Sequence, residues 1–518
     1  MKNTLKTLGI ICIIAAAIFI ASCGPIEPTT PSFTVTFDSD GGTPATQTQT
    51  IEQDSGDLVR LPTTTPTKKN LAEPGLYKNW PETGYELDGW YDGATKYEFN
   101  KETITSDLKL TAKWKLPAGV EDLSATGTGN DIVTKSFDAI NKATITAGDK
   151  YTLYIDTNVT STTTAGLVLN KSNTDLTIIG NNKDIKSSNL SAAPTSTNAN
   201  NNVFITIGAG KNPISSDASA TIDKTIKLTL KNVAILGSGQ PTVNSLIRVM
   251  NGATLSLESG AYIAEHINSA GGSSGATGNG SAICIINGST LNIAQGAVIE
   301  NNQSTAAGGG TAGNNTNLVA GVYVIGTPRE DPSEANKNRS TVNLTGGAIK
   351  GEKGASSNTL NKCMDGNTAD LYITELVNLN LQGNVTIGEL CINADNNANN
   401  TGTGTYGKYD YPTFKILGPV TNTIDKLNLR SSFGASTDSA TSILAGVQGA
   451  WKDKVVFSGG DGYNISGADV AQFKLWEFTG RKSLRADTGT DETKWANWIN
   501  PEKWGIDIDN NQGIFKQK

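Results

Sequence analysis

Leu255-Ser-Leu-Glu-Ser-Gly-Ala-Tyr-Ile263 aligns without gaps on Leu291-Asn-Ile-Ala-Gln-Gly-Ala-Val-Ile299, and again on Val342-Asn-Leu-Thr-Gly-Gly-Ala-Ile-Lys350. The first two copies are preceded by Asn251-Gly252 and Asn287-Gly288, one period of 36 residues apart. Leu228-Thr-Leu230 with Ile235, and Leu379-Asn-Leu381 with Ile387, read as degenerate copies. Two alternating apolar residues, a Gly bend and a further apolar strand describe one coil of a β-solenoid. Alternate side chains point inward, and Gly accepts the positive φ of a corner. A single coil cannot bury its apolar face, so stacked copies must build the core together. Such coils are shorter than 36 residues, and the remainder is expected as projecting loops. The Gly/Ser/Asn-rich or Pro-flanked stretches 268–279, 304–317, 328–339 and 395–405 fit that role.

Composition agrees. Of 518 residues, 56 are Gly and 17 Pro, with 37% hydrophobic and 18% charged. Gly, Asn, Thr and β-branched residues suit short strands and many turns and argue against an all-α protein. One His leaves almost nothing for a His-based zinc site or a Ser-His-Asp triad. A formal charge of −7 argues against nucleic acid as a partner.

The first 23 residues read MKNTLKTLGIICIIAAAIFIASC. Lys2 and Lys6 precede an uncharged apolar core, residues 8–20, that is short for a transmembrane helix. Ala21 and Ser22 lead to Cys23. The arrangement resembles a bacterial lipoprotein signal peptide, with Ile20 where Leu is commonest. The resemblance implies a leader over 1–22, acylation of Cys23, and anchoring to a membrane through several chains. Loss of Lys2 and Lys6 with the leader would take the charge to −9. Residues 23–32 form a Pro/Thr tether. Gly24 is not the Asp that commonly retains lipoproteins at the inner membrane, which for a two-membrane bacterium implies the outer membrane, with the anchor facing either the periplasm or the exterior. Cys12 would leave with the leader; Cys284, Cys363 and Cys391 remain, an odd number without metal spacing, allowing one disulfide and no disulfide scaffold. Cys284 in AICII and Cys391 in GELCIN read as small buried hydrophobes.

Residues 33–115 form a separate β module. Phe33 to Phe37, Leu58 to Leu61, the turn–strand–turn Gly84 to Gly93, Tyr97 to Phe99 and Ile104 to Trp114 are its strand candidates. FTVTFDSDGG, GYELDGWYDG, YEFN and SDLKLTAKW, in that order, resemble the internalin-type B repeat of bacterial surface proteins, which implies a compact β-grasp-like module. Residues 68–81 depart from that pattern and read as a loop insertion. Trp90, Tyr91 and Trp114 could stack on a glycan, but a domain this small needs aromatics in its core, and that reading is preferred.

After a linker at 116–130, Val133, Phe137 and Ile140 mark one short amphipathic helix. With the strands KYTLYI and LTIIGN that follow, the segment 131–470 resembles the right-handed parallel β-helix of the pectin-lyase-like superfamily. The expected fold class is therefore all-β, a small β-grasp-like module followed by a right-handed parallel β-helix with an N-terminal capping helix. Residues 471–518 carry Trp476, Trp495, Trp498 and Trp504 and are expected to close the last coil, since an open edge invites pairing with other chains.

The β-helix family includes polysaccharide lyases and hydrolases, which use carboxylate clusters, Ca²⁺ or Asp pairs. The repeat strands here carry Ser, Thr and Asn instead, so no catalytic, cofactor-binding or metal-binding residue is assigned and no cofactor is expected. Arg329-Glu330-Asp331 reads as solvated loop, His266 as a satisfied or exposed side chain, and Asp395 follows no chelating spacing. Asn251, Asn287, Asn301 and Asn302 are expected to stack as hydrogen-bonded ladders at coil corners. The expected function is non-catalytic binding, adhesion or an envelope structural role at the bacterial surface, toward a glycan or a host or matrix protein. An envelope polysaccharide lyase or hydrolase is the alternative.

Overall fold

A computed structural model describes residues 30–161, 166–187, 203–210, 221–242, 244–268, 281–304, 319, 321–326, 338–349, 362–363, 370–374, 376–396, 409–422, 424–431, 451–460, 462–475 and 504–518. The leader and Cys23, Arg329-Glu330-Asp331, Trp476, Trp495, Trp498 and most of the four expected loops lie outside these. The chain divides into two compact units, residues 1–71 with 81–119, and residues 72–80 with 120–518.

The first unit is a mixed five-stranded sheet in the order Thr46–Glu52, Ser32–Asp38, Leu108–Lys115, Glu86–Asp92, Thr95–Lys96. Its central pair, Ser32–Asp38 and Leu108–Lys115, is parallel, with Phe37 opposite Leu110. Alternation buries Val35, Phe37, Leu110 and Ala112 around Trp90, whose ring meets Phe37 edge-on at 5.1 Å. The strand Thr46–Glu52 reads TQTQTIE and carries one buried apolar residue, Ile51, too little for hydrophobic alternation to mark it beforehand. Leu58 to Leu61 forms no strand, although Val59 is buried in the core. The expected strand at Tyr97 to Phe99 is displaced to Thr95–Lys96.

The second unit is a parallel solenoid of short strands stacked coil on coil. Leu255 pairs with Leu291 and then Val342, and Leu257 with Ile293 and then Leu344, all buried in one continuous core. Ile235, Ile263 and Ile299 stack likewise across the bend. One register expectation fails. Val298 pairs with Ala348, where a gapless repeat would oppose it to Ile349. The bend between Leu344 and Ala348 is one residue shorter than that between Ile293 and Val298. Gly346 and Gly347 take it at φ of 144° and 83°, and a Cβ on Gly347 would lie 2.7 Å from the Ala294 carbonyl oxygen. The shortening is what turns Ile349 inward, because a one-residue slip would send it to solvent.

Antiparallel strands close the described part of the solenoid at both ends. The segment 68–81, expected as a loop, holds the strand Gly75–Lys78, which pairs with Tyr151–Tyr154 of the first coil and buries Leu76 against Leu153. Glu121–Asp122 pairs on its other side. The expected helix is Ile132–Lys142, capped by Asp131, whose carboxylate accepts the Thr134 N–H at 2.8 Å. It buries Val133, Phe137 and Ile140 in the solenoid core. At the other end Gln512–Gln517 pairs antiparallel with Val455–Gly459 and with Trp504–Asp509. Trp504 is buried and stacks on Phe515 at 4.9 Å, the capping role expected of it.

Candidate functional site

Three stacked sheets run along the solenoid, and the middle coils add a fourth, of Pro241–Thr242, Ile267–Asn268, Gln303–Ser304 and Lys362–Cys363. Two of the three long sheets present contrasting outward faces. The first contains Tyr151–Tyr154, Thr254–Leu257, Thr290–Ile293, Ser340–Leu344, Val377–Gly383 and Thr413–Val420, with the leading parts of Asp175–Ser187 and Lys227–Leu236. Its pleat aligns one outward column across these strands, running from Thr152 to Lys415, whose inner six members are Thr177, Thr229, Ser256, Asn292, Asn343 and Asn380. All are half-buried. Their amides form a ladder: Asn292 Nδ2 donates to Ser256 Oγ at 3.0 Å, Asn343 Nδ2 to Asn292 Oδ1 at 2.8 Å, and Asn380 Nδ2 to Asn343 Oδ1 at 2.8 Å. A second outward column, Thr254, Thr290, Thr341 and Asn378, runs beside it. Between Thr254 and Asn380 the two columns carry no ionisable side chain; beyond them the columns continue into Lys227 and Asp175 at one end and Lys415 at the other.

The corner ladder expected from sequence is present for two of its four residues. Asn287 Nδ2 donates to Asn251 Oδ1 at 2.8 Å, and both residues sit at positive φ, 51° and 57°. Asn301 takes the same backbone conformation, φ 53°. Asn302 is buried and serves the backbone instead, donating to the Ile263 and Glu300 carbonyls and accepting the His266 N–H at 3.2 Å. His266 is buried at the equivalent position one coil earlier.

The second face is sealed. Thr206, Arg248, Cys284, Tyr323, Tyr372 and Cys391 occupy one outward column, and each is at most 5% exposed. Tyr323 and Tyr372 stack at 5.7 Å. Burial pushes the Cys284 thiol up to about 11, an effect the neighbouring Arg248 partly opposes. Cys284 and Cys391 are reduced and three rungs apart, about 14 Å at the spacing of stacked strands, beyond disulfide reach.

Sequence reading passed over the charged residues of this layer. Arg248 lies within the apolar run LIRVM and Glu389 within IGELCI, a charge amid hydrophobes being the one available signal. Glu389 and Asp370 occupy neighbouring rungs; the Glu389 N–H donates to Asp370 Oδ2 at 2.7 Å and Cys391 Sγ donates to Glu389 Oε1 at 3.1 Å. Both carboxylates are fully buried. Arg248 stands four rungs from Cys391, about 19 Å along the stack, so it does not converge on this pair. Among the described residues, no three His, Cys, Asp or Glu side chains gather as a metal-binding group.

In the first unit, Trp90 is core, as preferred from sequence. Trp114 Nε1 donates to the Ser39 carbonyl at 2.9 Å, and the Lys113 ammonium sits 4.0 Å from the centre of the Tyr91 ring. A sugar would have to displace that cation to stack there.

Residues 33–113 match the family model of the Listeria-Bacteroides repeat domain. The first unit is thus similar to that bacterial repeat domain. No curated protein and no solved structure matches the chain. Among the described residues no helix is long and apolar enough to cross a membrane.

Proposed function

We propose that this is a lipid-anchored protein of the bacterial cell surface, held through Cys23 at the outer membrane, whose solenoid binds a glycan or a host or matrix protein without chemical turnover. The match of residues 33–113 to a bacterial surface repeat domain carries the reading. The leader ending at Cys23 supports anchoring, and the stacked coils, of a kind resembling pectin-lyase-like β-helices in their repeat pattern, supply a long surface for many weak contacts. The open face favours binding over catalysis because its central strip holds amides and hydroxyls, whereas catalysis needs converging groups that exchange protons. Cys23→Ala should move the protein from the detergent to the aqueous phase and abolish acylation; unchanged partitioning would refute the anchor. A glycan and matrix-protein array should then show binding with no reducing ends or unsaturated sugars released.

The Asp370–Glu389 pair favours a second reading, a polysaccharide lyase or hydrolase. Its burial opposes that reading, since a substrate would have to open the covered layer to reach it. Release of product by the parent, lost in both Asp370→Asn and Glu389→Gln while the fold is kept, would establish the enzyme.

A further inference from the structure

Resting on the binding reading above, we infer that the double column of Thr and Asn on the open face is a docking strip for an uncharged, extended polysaccharide lying along the solenoid axis.

Its dimensions come first. Four strands, Thr254–Leu257, Thr290–Ile293, Ser340–Leu344 and Val377–Gly383, carry both columns. At about 4.8 Å per rung they span roughly 14 Å, and the two outward columns lie about 7 Å apart. The strip is therefore on the order of 100 Å², far below the roughly 800 Å² per partner of a stable protein–protein interface. It is small and narrow, the footprint of a few residues of a linear polymer rather than of a folded domain. One rung is also close to the length of a single pyranose ring in an extended chain, so successive sugars meet successive rungs.

The chemistry selects the polymer. Thr254, Thr290 and Thr341 each present a hydroxyl that donates and accepts, and Asn378 adds an amide with the same capacity. These complement sugar hydroxyls, which also do both. Beside them, the Ser256–Asn292–Asn343–Asn380 ladder fixes each amide against its neighbour, so little rotamer freedom remains to be lost on binding. Neither column holds a charge between Thr254 and Asn380. An acidic polymer would meet cations only at the two ends, Lys227 beside Thr254 and Lys415 beside Asn380, and none over the rungs between to offset its desolvation, in a chain whose formal charge is −7. A cationic one would find no carboxylate over those rungs. With no aromatic ring in these two columns, each rung contributes weakly, and affinity must come from engaging several rungs at once.

The test uses the full-length purified protein in affinity electrophoresis, with gels containing a neutral mannan or glucan, hyaluronate, chitosan or soluble collagen. The neutral polysaccharides should retard the parent. The isosteric triple variant Thr254→Val, Thr290→Val, Thr341→Val should bind them at least tenfold more weakly with an unchanged circular dichroism spectrum. A second variant, Thr290→Lys with Thr341→Lys, should lose the neutral polymer and gain hyaluronate. Neutral-polymer binding equal to the parent in both folded variants would overturn the strip and leave the binding reading standing. Retardation of the parent by collagen or a charged polymer alone would overturn the ligand class. No retardation by any probe would overturn the inference and the binding reading together.

Discussion

Arg248 and Ser256 stand eight residues apart on one coil, yet the arginine is sealed from water and the serine is half-exposed. Both point away from the same core. Inward, the coils agree: Leu255, Leu291 and Val342 on one sheet, Ile247, Ile283 and Val322 on another, all buried. Outward, one sheet is a wet ladder of amides and hydroxyls and the other a dry layer with a tyrosine stack and two thiols. The repeat unit therefore specifies the inside of this solenoid, and each face is differentiated by what covers it. Strands buried on both sides lose their alternation and read as continuous apolar runs, as in Ile283-Cys-Ile285 and Val322-Tyr-Val324.

Leu257→Asp attacks what the two faces share, and its effect should be the largest. Leu257 packs between Leu230 and Ile293 in the core. An unpaired carboxylate there costs several kcal/mol, a large part of the roughly 5–15 kcal/mol that stabilises an ordinary domain. The variant should lose cooperative thermal unfolding and accumulate as insoluble protein, and Ile293→Asp should behave likewise. Soluble, cooperatively unfolding protein from either would contradict the common core.

How much of this could be read beforehand follows the same division. The inward positions were legible because two leucines flanking one polar residue, followed by a Gly bend, have few other uses. Cys284 and Cys391 were legible as buried because their neighbours are apolar. The burial of Arg248, Asp370 and Glu389 was not, since it depends on the layer over the sheet and no local pattern encodes that. The capping strand Gly75–Lys78 was hidden by its place inside the first module's sequence and by its length of four residues. The one-residue shortening at Gly346-Gly347 was hidden because Gly-Gly fits either register. Of the open face, Asn and Thr were visible as composition, but their alignment into columns needed the register.

Tyr323→Ala should reveal the dry face. The ring is 1% exposed and stacked on Tyr372, and truncating a buried aromatic typically costs about 3–5 kcal/mol. Denaturant unfolding should show a loss in that range with an unchanged slope. A loss under about 1 kcal/mol would mean that water already reaches this layer, and the contrast between the faces would collapse.

The thiol beneath Tyr323 gives a comparison by pH. The Cys284 pKa rises from 9.0 to about 11 in the folded protein. The folded state thus holds its proton more tightly, so its contribution to stability is present below pH 9 and is lost as pH rises toward 11. That gap corresponds to about 3 kcal/mol. Between pH 8 and 11 the parent should lose about that much more stability than Cys284→Ala, measured as the difference between their denaturation midpoints at each pH. Parallel pH profiles would show that the thiol ionises freely and that its surroundings are wet. Native Cys284 and Cys391 should also resist iodoacetamide until the protein unfolds.

Asn343 tests the wet face, where the smallest effect is expected. Its amide donates to Asn292 and accepts from Asn380, so Asn343→Ala removes two hydrogen bonds at once. Water can reach both partners, and the net cost should stay near 1 kcal/mol, several-fold below that of Tyr323→Ala. Asn343→Asp separates the ladder from simple packing. The carboxylate keeps the shape and still accepts from Asn380, but it cannot donate to Asn292 and sets oxygen against oxygen. At pH 7 it should therefore cost more than alanine, and acidification below its ionisation should narrow that difference as the protonated carboxyl regains a donor. If alanine and aspartate are equally costly at both pH values, the amides are neighbours without being a ladder, and the open face owes nothing of its order to them.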